Sequence, residues 1–535
     1  MEKKIEWFKT AHVYQIYPLS FKDSNHDGIG DINGIISKLD YMKDLGIDVI
    51  WLSPVYQSPM HDNGYDISDY LKINPMFGTL EDMKNLLNQT HQKQMKLIMD
   101  LVINHTSDEH EWFKKSVAGD PKYKDYYIWR KEKTDVDSIF GGSAWTYHKQ
   151  AKAYYFHLFA ESQPDLNWDN QAMRKEIYDM INTWLDMGID GFRLDVIDLI
   201  GKDIEKKIFS DGPYLEKYLE EMYHNCFEYR DIMTVGETPG LSIERSATLT
   251  ADPKMGLDMV FQFSHIGLDE IPGQGKWALK KLDLLELKET FNRVQYTFYQ
   301  KGWNALFLAN HDQPRALTRY GSLKYPKRSA KMLMTFIYGM QGTPFVYQGE
   351  EIGMTGIKFK DIDSYKDIET KQIYDILKNQ GKSIDDIMTS IDAKGRDNSR
   401  TPFQWDDSEY AGFSDVKPWI DVNPNYKYIN AEQSINDKSS VYTYTKTLLT
   451  LRKRYDVFTY GDFEIYQYEN TKHFSYYRTY KNTKLLIICS FTEEAIPFDL
   501  PHKHYEILLS NDENYKFKKN KMLPPYFSCI LKIGD

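Results

Sequence analysis

The stretch "GIISKLDYMKDLGIDVIWLSP", residues 34–54, joins one amphipathic helix to one strand. In residues 34–46 the apolar side chains recur at helical spacing. In "DVIWLSP", residues 48–54, they occupy both parities, as they do in a parallel strand covered on both faces. A helix that leads into such a strand is the repeating unit of an α/β protein, so this stretch predicts that class.

The same kind of strand recurs along the chain. The predicted strands share a short apolar middle and are 12–18, 48–54, 97–105, 191–196, 232–237, 259–263, 305–312 and 343–351. Amphipathic helical stretches such as 79–94 and 171–188 lie between them. About eight strand–helix units favour a (β/α)₈ TIM barrel, although an open sheet of eight strands fits the same pattern.

Two long interruptions and one change of pattern predict further domains. Residues 106–170 separate the third and fourth strands by more than an ordinary loop, which predicts an inserted subdomain B. A polar helical insertion, about 355–420, follows the eighth strand. The catalytic barrel is then expected to comprise 1–105 and 171–455. Short strands with polar turns in 456–535 predict a C-terminal antiparallel β-sandwich domain.

The composition excludes several functional classes. Net charge is -11, from 67 basic and 78 acidic residues, which argues against nucleic acid as a partner. Cys226, Cys489 and Cys529 are too few and too scattered for a disulfide framework or a zinc site. No apolar run is long enough for a signal peptide or a membrane span. We therefore expect a cytoplasmic, monomeric enzyme that contacts no membrane and uses no organic cofactor.

Polar and ionisable residues follow the predicted strands where a barrel enzyme carries its reactive groups. They are Asp100, Asn104 and His105 on strand three, Arg193 and Asp195 on strand four, Glu237 on strand five, and His311 and Asp312 on strand seven. One buried carboxylate could be a structural ion pair, but three on one rim indicate chemistry. Asp195 and Glu237 on adjacent strands could reach the separation of about 5–5.5 Å that a retaining glycosidase needs. Arg193 projects to the same face as Asp195 and would favour its ionised form.

Four segments carry a family resemblance. "DLVINH" (100–105), "GFRLDVID" (191–198), "TVGET" (234–238) and "ANHDQPR" (309–315) resemble the successive signature segments of the α-amylase family of glycoside hydrolases. Within that family the chain most resembles the oligo-1,6-glucosidase and glucan 1,6-α-glucosidase (dextran glucosidase) branch. Supporting stretches are "HDNGYDI" (61–67), "FGGSAW" (140–145), "QPDLNWDN" (163–170) and "GRDNSRTPFQWD" (395–406).

The resemblance implies a role for each matching residue. Asp195 would be the nucleophile, Glu237 the general acid/base and Asp312 the stabiliser of the transition state. The residues implied to surround the sugar are Asp62, Tyr65, His105, Arg193, His311 and Arg396. Asp62 and Arg396 would hold its non-reducing end, which implies an exo-acting enzyme. On its own, "HDNGYD" could equally be a turn.

Fewer residues predict which glycosidic linkage is cleaved than predict the catalytic roles. In the resembling family a Val after the nucleophile, here Val196, goes with α-1,6 bonds, although Val is also expected in any buried strand. Lys276 resembles a contact to the leaving sugar, where a lone lysine would otherwise be solvated surface. Pro239 in "ETPG" matches the oligo-1,6-glucosidase form. The expected function is a retaining exo-α-glucosidase acting on isomaltose, panose and short dextran pieces.

Other functions compete with this hypothesis. Trehalose-6-phosphate hydrolases share the fold and the three carboxylates, and sucrose-active or α-1,4-active α-glucosidases belong to the same family. A barrel without catalysis that acts as a binding partner is a more remote alternative, because Asp195, Glu237 and Asp312 are all present.

A metal site is predicted in "DSNHDGIGD", residues 23–31. The ligands would be Asp23, Asn25, Asp27, the Ile29 carbonyl and Asp31, and oxygen donors suit calcium. The loop is not an EF-hand sensor, because position twelve is Gly34 where a bidentate Glu is required. The resembling enzymes often carry calcium here, which implies one structural ion. An empty Asx-turn loop is the alternative.

Overall fold

The computed structural model describes residues 6–517 and 521–534. Eight parallel strands, numbered β1 to β8, are Val13–Ile16, Val49–Leu52, Lys96–Leu101, Gly191–Leu194, Met233–Glu237, Met259–Phe261, Ala305–Leu306 and Thr343–Tyr347. Their hydrogen-bonded order is β6-β5-β4-β3-β2-β1-β8-β7. A parallel bridge between Val260 of β6 and Asn304 beside β7 closes the sheet. The predicted TIM barrel is therefore confirmed, and the open sheet is wrong.

Alternating side chains of the strands fill two different layers. Val49 and Trp51 of β2 pack with Phe261 and Phe345 in a cluster inside the barrel. Ile50 and Leu52 belong to the larger cluster between the strands and the outer helices. Because both layers exclude water, each strand is apolar on both parities, as the sequence indicated.

The outer helices follow the strands in chain order. They are Ile32–Ile36, Leu39–Leu45, Leu80–Gln92, Gln171–Met187, Leu215–Met222, Ile243–Ala251, Leu284–Phe298, Ala316–Tyr320, Pro326–Tyr338, Ala431–Asn436, Val441–Arg454 and Val457–Tyr460. Local sequence fixes several ends. Thr79 and Asp82 form a capping box before Leu80–Gln92. Gly188, at φ +107°, ends Gln171–Met187.

Two insertions lie above the carboxyl ends of the strands. Residues 106–170 contain the helix Glu111–Val117 and a three-stranded sheet of Trp129–Arg130, Trp145–His148 and Ala153–Phe156. The helices Ile368–Asn379 and Ile384–Lys394 follow β8. Gln372 Nε2 donates to the Gly141 carbonyl at 2.9 Å, so the second insertion contacts the first across the mouth of the barrel.

The C-terminal region forms antiparallel sheets, as predicted. Five strands pair in one sheet: Glu464–Tyr466, His473–Tyr480, Thr483–Ser490, Tyr505–Ser510 and Ser528–Ile533. The short strands Ile496–Pro497 and Met522–Leu523 form a second. Leu486 and Ile488 pack toward the second sheet. Leu485 and Ile487 belong to the cluster between the barrel strands and the outer helices. This alternation attaches the domain to the barrel on one face and gives it its own core on the other. Among the described residues, no helix combines the length and the apolarity needed to cross a membrane.

Candidate active site

The carboxyl ends of the barrel strands surround a cavity of about 150 Å³. Asp195 follows directly on β4, Glu237 is the last residue of β5, and Asp312 lies in the loop after β7. Nine of the eleven predicted catalytic and substrate-binding residues line this cavity: Asp62, Tyr65, His105, Asp195, Val196, Glu237, Lys276, Asp312 and Arg396. The other two, Arg193 and His311, are buried beneath its wall and contact lining residues.

Arg193 connects the acidic groups at the bottom of the cavity. Its Nη1 lies 2.5 Å from Asp195 Oδ1 and 2.5 Å from Asp100 Oδ1. Its Nη2 lies 2.6 Å from Glu237 Oε2. One buried guanidinium therefore holds Asp195 and Glu237 within reach of the same small volume. The sequence predicted the Arg193–Asp195 contact but gave no indication of the contact to Glu237.

Burial is the largest influence on Asp195. It raises the pKa of this carboxyl well above its usual range, and the neighbouring Glu237 and Asp100 carboxylates act in the same direction. Arg193 lowers the pKa of Asp195, but less than burial raises it. Arg193 thus favours the ionised form of Asp195, as expected, but sequence did not reveal that burial has the larger and opposite effect.

Val196 lies outside the strand. β4 ends at Leu194, and Val196 adopts the left-handed conformation with φ +36°. This conformation is strained for a β-branched residue, at a typical cost of about 1–3 kcal/mol. Its N–H donates to Glu237 Oε2 at 3.2 Å. Strand propensity therefore does not explain why a valine occupies position 196. Contacts with neighbouring groups, such as the one to Glu237, keep the turn in this conformation.

One end of the cavity is closed by a charged cluster. Asp62, from the loop between the short strands Tyr56–Gln57 and Asp69–Ile73, accepts from Arg396 Nη2 at 2.8 Å. Arg396 Nη2 also contacts Asp367 Oδ1 at 2.5 Å, and its Nη1 lies 3.3 Å from Asp312 Oδ1. Gln163 Nε2 donates to Asp62 Oδ2 at 3.1 Å. The predicted pair Asp62 and Arg396 is thus part of a larger network.

Tyr65 and His311 stack on each other under the cavity. Their ring centres are 5.1 Å apart and their planes differ by 5°. The Tyr65 hydroxyl donates to Asp100 Oδ2 at 3.1 Å. The ring is therefore fixed as a flat wall against which one face of a sugar can lie.

Burial and neighbouring charges shift the pKa values of Asp312 and His105. Burial raises the pKa of Asp312, but His311, Arg396 and Arg400 outweigh it and hold that pKa well below its usual range. Arg400 Nη2 lies 2.6 Å from Asp312 Oδ1. Burial lowers the pKa of His105, whose Nε2 lies 3.1 Å from the Tyr65 carbonyl. An ionised carboxylate and a neutral imidazole therefore face the cavity near neutral pH.

Sequence reasoning missed several residues of the site. Gln163, Phe140 and Arg400 lie within stretches quoted for the resemblance and could have been named from them. Asp367 and Glu369 lie in the polar insertion after β8, where nothing in the pattern marked them. Glu369 Oε2 accepts from Lys276 Nζ at 2.7 Å, so Lys276 lies against the cavity and is not a freely solvated lysine.

The loop of residues 23–31 uses its oxygens as hydrogen-bond acceptors. Asp23 accepts from the N–H groups of Asn25, His26 and Gly28 and from the Ser414 hydroxyl. Asp31 caps the helix Ile32–Ile36 by accepting from Gly34 N–H at 2.7 Å. Within residues 6–517 and 521–534, no three His, Cys, Asp or Glu side chains are grouped as metal ligands. The donors suit calcium in kind, but an ion would have to replace part of these hydrogen bonds.

Known proteins resemble this chain along its length. The model of the α-amylase catalytic domain matches residues 15–461, and that of the SusG C-terminal domain of α-amylase matches residues 474–530. An oligo-1,6-glucosidase of Bacillus cereus is 49% identical, with 100% of each chain covered. A glucan 1,6-α-glucosidase of Streptococcus pneumoniae is 46% identical, with 99% of each chain covered. A crystal structure of trehalose-6-phosphate hydrolase from Bacillus licheniformis superposes with a TM-score of 0.93 at 45% identity. That match covers 99% of this chain and 100% of the other.

Proposed function

The chain belongs to the α-amylase family of glycoside hydrolases, and we propose that it is a retaining exo-α-glucosidase that cleaves α-1,6 bonds of isomalto-oligosaccharides. The main support for this proposal is the shape and chemistry of the cavity. One guanidinium contacts both carboxyl groups at its bottom, and the pair Asp62 and Arg396 closes one end. The carboxyl groups supply the chemistry, and the closed end limits the substrate to one sugar beyond the bond that breaks.

The reaction needs two steps at the same carbon. Glu237 gives a proton to the bridging oxygen while Asp195 attacks the anomeric carbon, and a glycosyl ester on Asp195 forms. Glu237 then removes a proton from water, which attacks the same carbon and releases glucose with its original configuration. The contacts from Arg193 and Val196 engage Oε2 of Glu237, so Oε1 is the oxygen proposed to transfer the proton.

Asp312 would contribute charge rather than proton transfer. Its depressed pKa keeps it ionised, and a carboxylate near the sugar ring stabilises the positive charge of the oxocarbenium-like transition state. Tyr65 would support one face of the ring, and Asp62 with Arg396 would hold the hydroxyl groups of the non-reducing end. Val196 and Lys276, which line the same cavity as Glu237, would then contact the leaving sugar.

The charge of the lining favours a neutral substrate over a phosphorylated one. Its acidic members are Asp62, Asp195, Glu237, Asp312 and Glu369, and its basic members are Lys276 and Arg396. Both cations are already paired with carboxylates. A phosphate group would therefore meet repulsion and find no free cation within this lining. For that reason isomaltose is preferred to trehalose 6-phosphate as the proposed substrate.

The experiment that tests the proposal compares kcat/KM on isomaltose, maltose, sucrose and trehalose 6-phosphate. Isomaltose is expected to be cleaved fastest, and proton NMR during the first turnovers should detect α-glucose. Faster cleavage of trehalose 6-phosphate would refute the substrate, and initial β-glucose would refute the retaining mechanism.

We also propose one structural calcium ion in the loop of residues 23–31, held by Asp23, Asn25, Asp27, the Ile29 carbonyl and Asp31. It would stiffen the loop after β1, apart from the reacting groups.

A cytoplasmic, monomeric enzyme is proposed as well, and the three free cysteines agree with a reducing compartment. Sedimentation and cell fractionation would test these two points.

A further inference from the structure

Two short turns carry the two proposed reacting carboxyl groups. The turn after β4 runs from Asp195 to Asp198, and the turn after β5 runs from Glu237 to Gly240. Val196 N–H donates to Glu237 Oε2 at 3.2 Å, and Gly240 N–H donates to Asp198 Oδ2 at 3.0 Å. The turns are therefore joined at two points, one of which is the side chain of Asp198.

Asp198 is an unusual residue for a purely structural position. Its side chain is fully buried, with 0% exposure. Oδ2 also accepts from the Ser210 hydroxyl at 2.6 Å, whereas Oδ1 has no hydrogen-bond partner among the described residues. Burial raises the pKa of Asp198 to about 7, and the nearby Glu237 acts in the same direction. Burying a carboxyl group with one oxygen unpaired costs free energy of folding, which suggests that its contacts serve a purpose other than stability.

The backbone of the second turn packs closely against its neighbours. A Cβ on Gly240 would lie 2.2 Å from Ser210 Oγ and 2.8 Å from Asp198 Oδ2. A Cβ on Gly236, just before Glu237, would lie 3.1 Å from the Ile197 side chain. Pro239, between Glu237 and Gly240, lines the cavity. A displacement of Asp198 would consequently move the wall of the cavity that carries Glu237.

We propose that Asp198 is a positioning residue that holds the turn of Glu237 against the turn of Asp195 for proton transfer. The proposal rests on the proposed role of Glu237 as the general acid/base. Loss of the contact frees Glu237 to shift relative to the bridging oxygen, and a shift of about 1 Å can lower a rate about 10²-fold.

The test compares two substrates with different needs for a proton. Isomaltose, or whichever disaccharide the wild type cleaves best, needs general acid catalysis, whereas nitrophenolate leaves 4-nitrophenyl α-glucoside with little help. Asp198→Ala is expected to lower kcat/KM, which reports the first step alone, by about 10²-fold on the disaccharide and much less on the aryl glucoside. Ser210→Ala, which removes the other donor to the same oxygen, is the matched control and should affect both substrates slightly and equally.

Asp198→Asn separates charge from position. It keeps an acceptor oxygen for Gly240 N–H and removes the negative charge. Because the contact to Gly240 N–H survives in this variant, kcat/KM on both substrates should stay close to that of the wild type and well above that of Asp198→Ala on the disaccharide.

Two results would overturn the proposal. One is an equal loss of kcat/KM on the two substrates in Asp198→Ala, and the other is a loss in Asp198→Asn as large as that in Asp198→Ala. If circular dichroism shows that Asp198→Ala does not fold, Asp198→Ser, whose shorter side chain cannot reach Gly240 N–H, replaces it in the same comparison. Failure of the proposed function would appear earlier and separately, as a wild-type enzyme that cleaves no α-glucoside.

Discussion

Replacing Arg396 with lysine keeps the positive charge at the closed end of the cavity but removes its planar fork. Arg396 Nη2 contacts Asp62 at 2.8 Å and Asp367 at 2.5 Å, its Nε contacts Asp367 at 2.9 Å, and its Nη1 lies 3.3 Å from Asp312. A single ammonium cannot reproduce this set, since its donors radiate from one atom. Asp62 is then expected to lose its charged partner and to keep only the hydrogen bond from Gln163.

The expected loss follows from the contacts that disappear. A hydrogen bond to a charged group contributes about 1.5–3 kcal/mol. If Arg396→Lys removes one such bond to the sugar or to Asp62, kcat/KM on isomaltose falls about 10- to 150-fold, at about 1.4 kcal/mol per factor of ten. The assay is release of glucose from isomaltose at several concentrations. It should also detect products longer than glucose from dextran pieces, because the closed end has opened.

Arg293→Lys is the matched control. Arg293 makes a bidentate pair with Glu244 at 2.7 and 2.8 Å, but both side chains are more than half exposed. An exposed pair contributes about 0–1 kcal/mol, and this one is remote from the lining, so activity should not change. If Arg396→Lys retains kcat/KM within twofold of this control, the assignment of Arg396 to sugar binding is refuted.

Three further predictions concern catalysis, acidity and metal binding. Asp195→Asn should lower turnover of 4-nitrophenyl α-glucoside by about 10⁴-fold or more with an unchanged circular dichroism spectrum, and near-normal turnover would contradict its role as nucleophile. Burial raises the pKa of Glu350 to about 8 from 4.5, so its stabilising effect is complete below pH 4.5 and is lost as pH rises toward 8. Relative to the wild type, Glu350→Gln should therefore gain free energy of unfolding between pH 5 and pH 8, by up to about 1.4 kcal/mol per pH unit. The difference in Tm should grow with pH over this range, and a constant difference would count against this reasoning. Chelation of calcium should lower Tm, since an ion at 100 times its Kd stabilises by about 2.7 kcal/mol, and an unchanged Tm would argue against an ion in residues 23–31.

Much of the fold could be predicted because its signals are local. Seven of the eight barrel strands lie within the predicted stretches, and the third, Lys96–Leu101, begins one residue before its stretch. The helix Gln171–Met187 begins and ends within one residue of the predicted range 171–188. The C-terminal strands His473–Tyr480 and Thr483–Ser490 follow from their apolar pattern in the same way. Burial on a strand or helix face dictates side-chain type at fixed spacing, so sequence records it directly.

The sequence by itself predicted eight strand–helix units and placed Asp195, Glu237 and Asp312 after their strands, but it fitted both a closed barrel and an open sheet. Only the tertiary structure decided which groups share contacts: the Arg396–Asp62 pair joins residues 334 positions apart. It alone revealed the pairing of Arg193 with Glu237, the left-handed turn at Val196 and the raised pKa of Asp195. The physical reason is that hydrogen bonds, strain and desolvation depend on distances between distant segments. No local pattern encodes those distances, which arise when the barrel closes and the insertions cover its mouth.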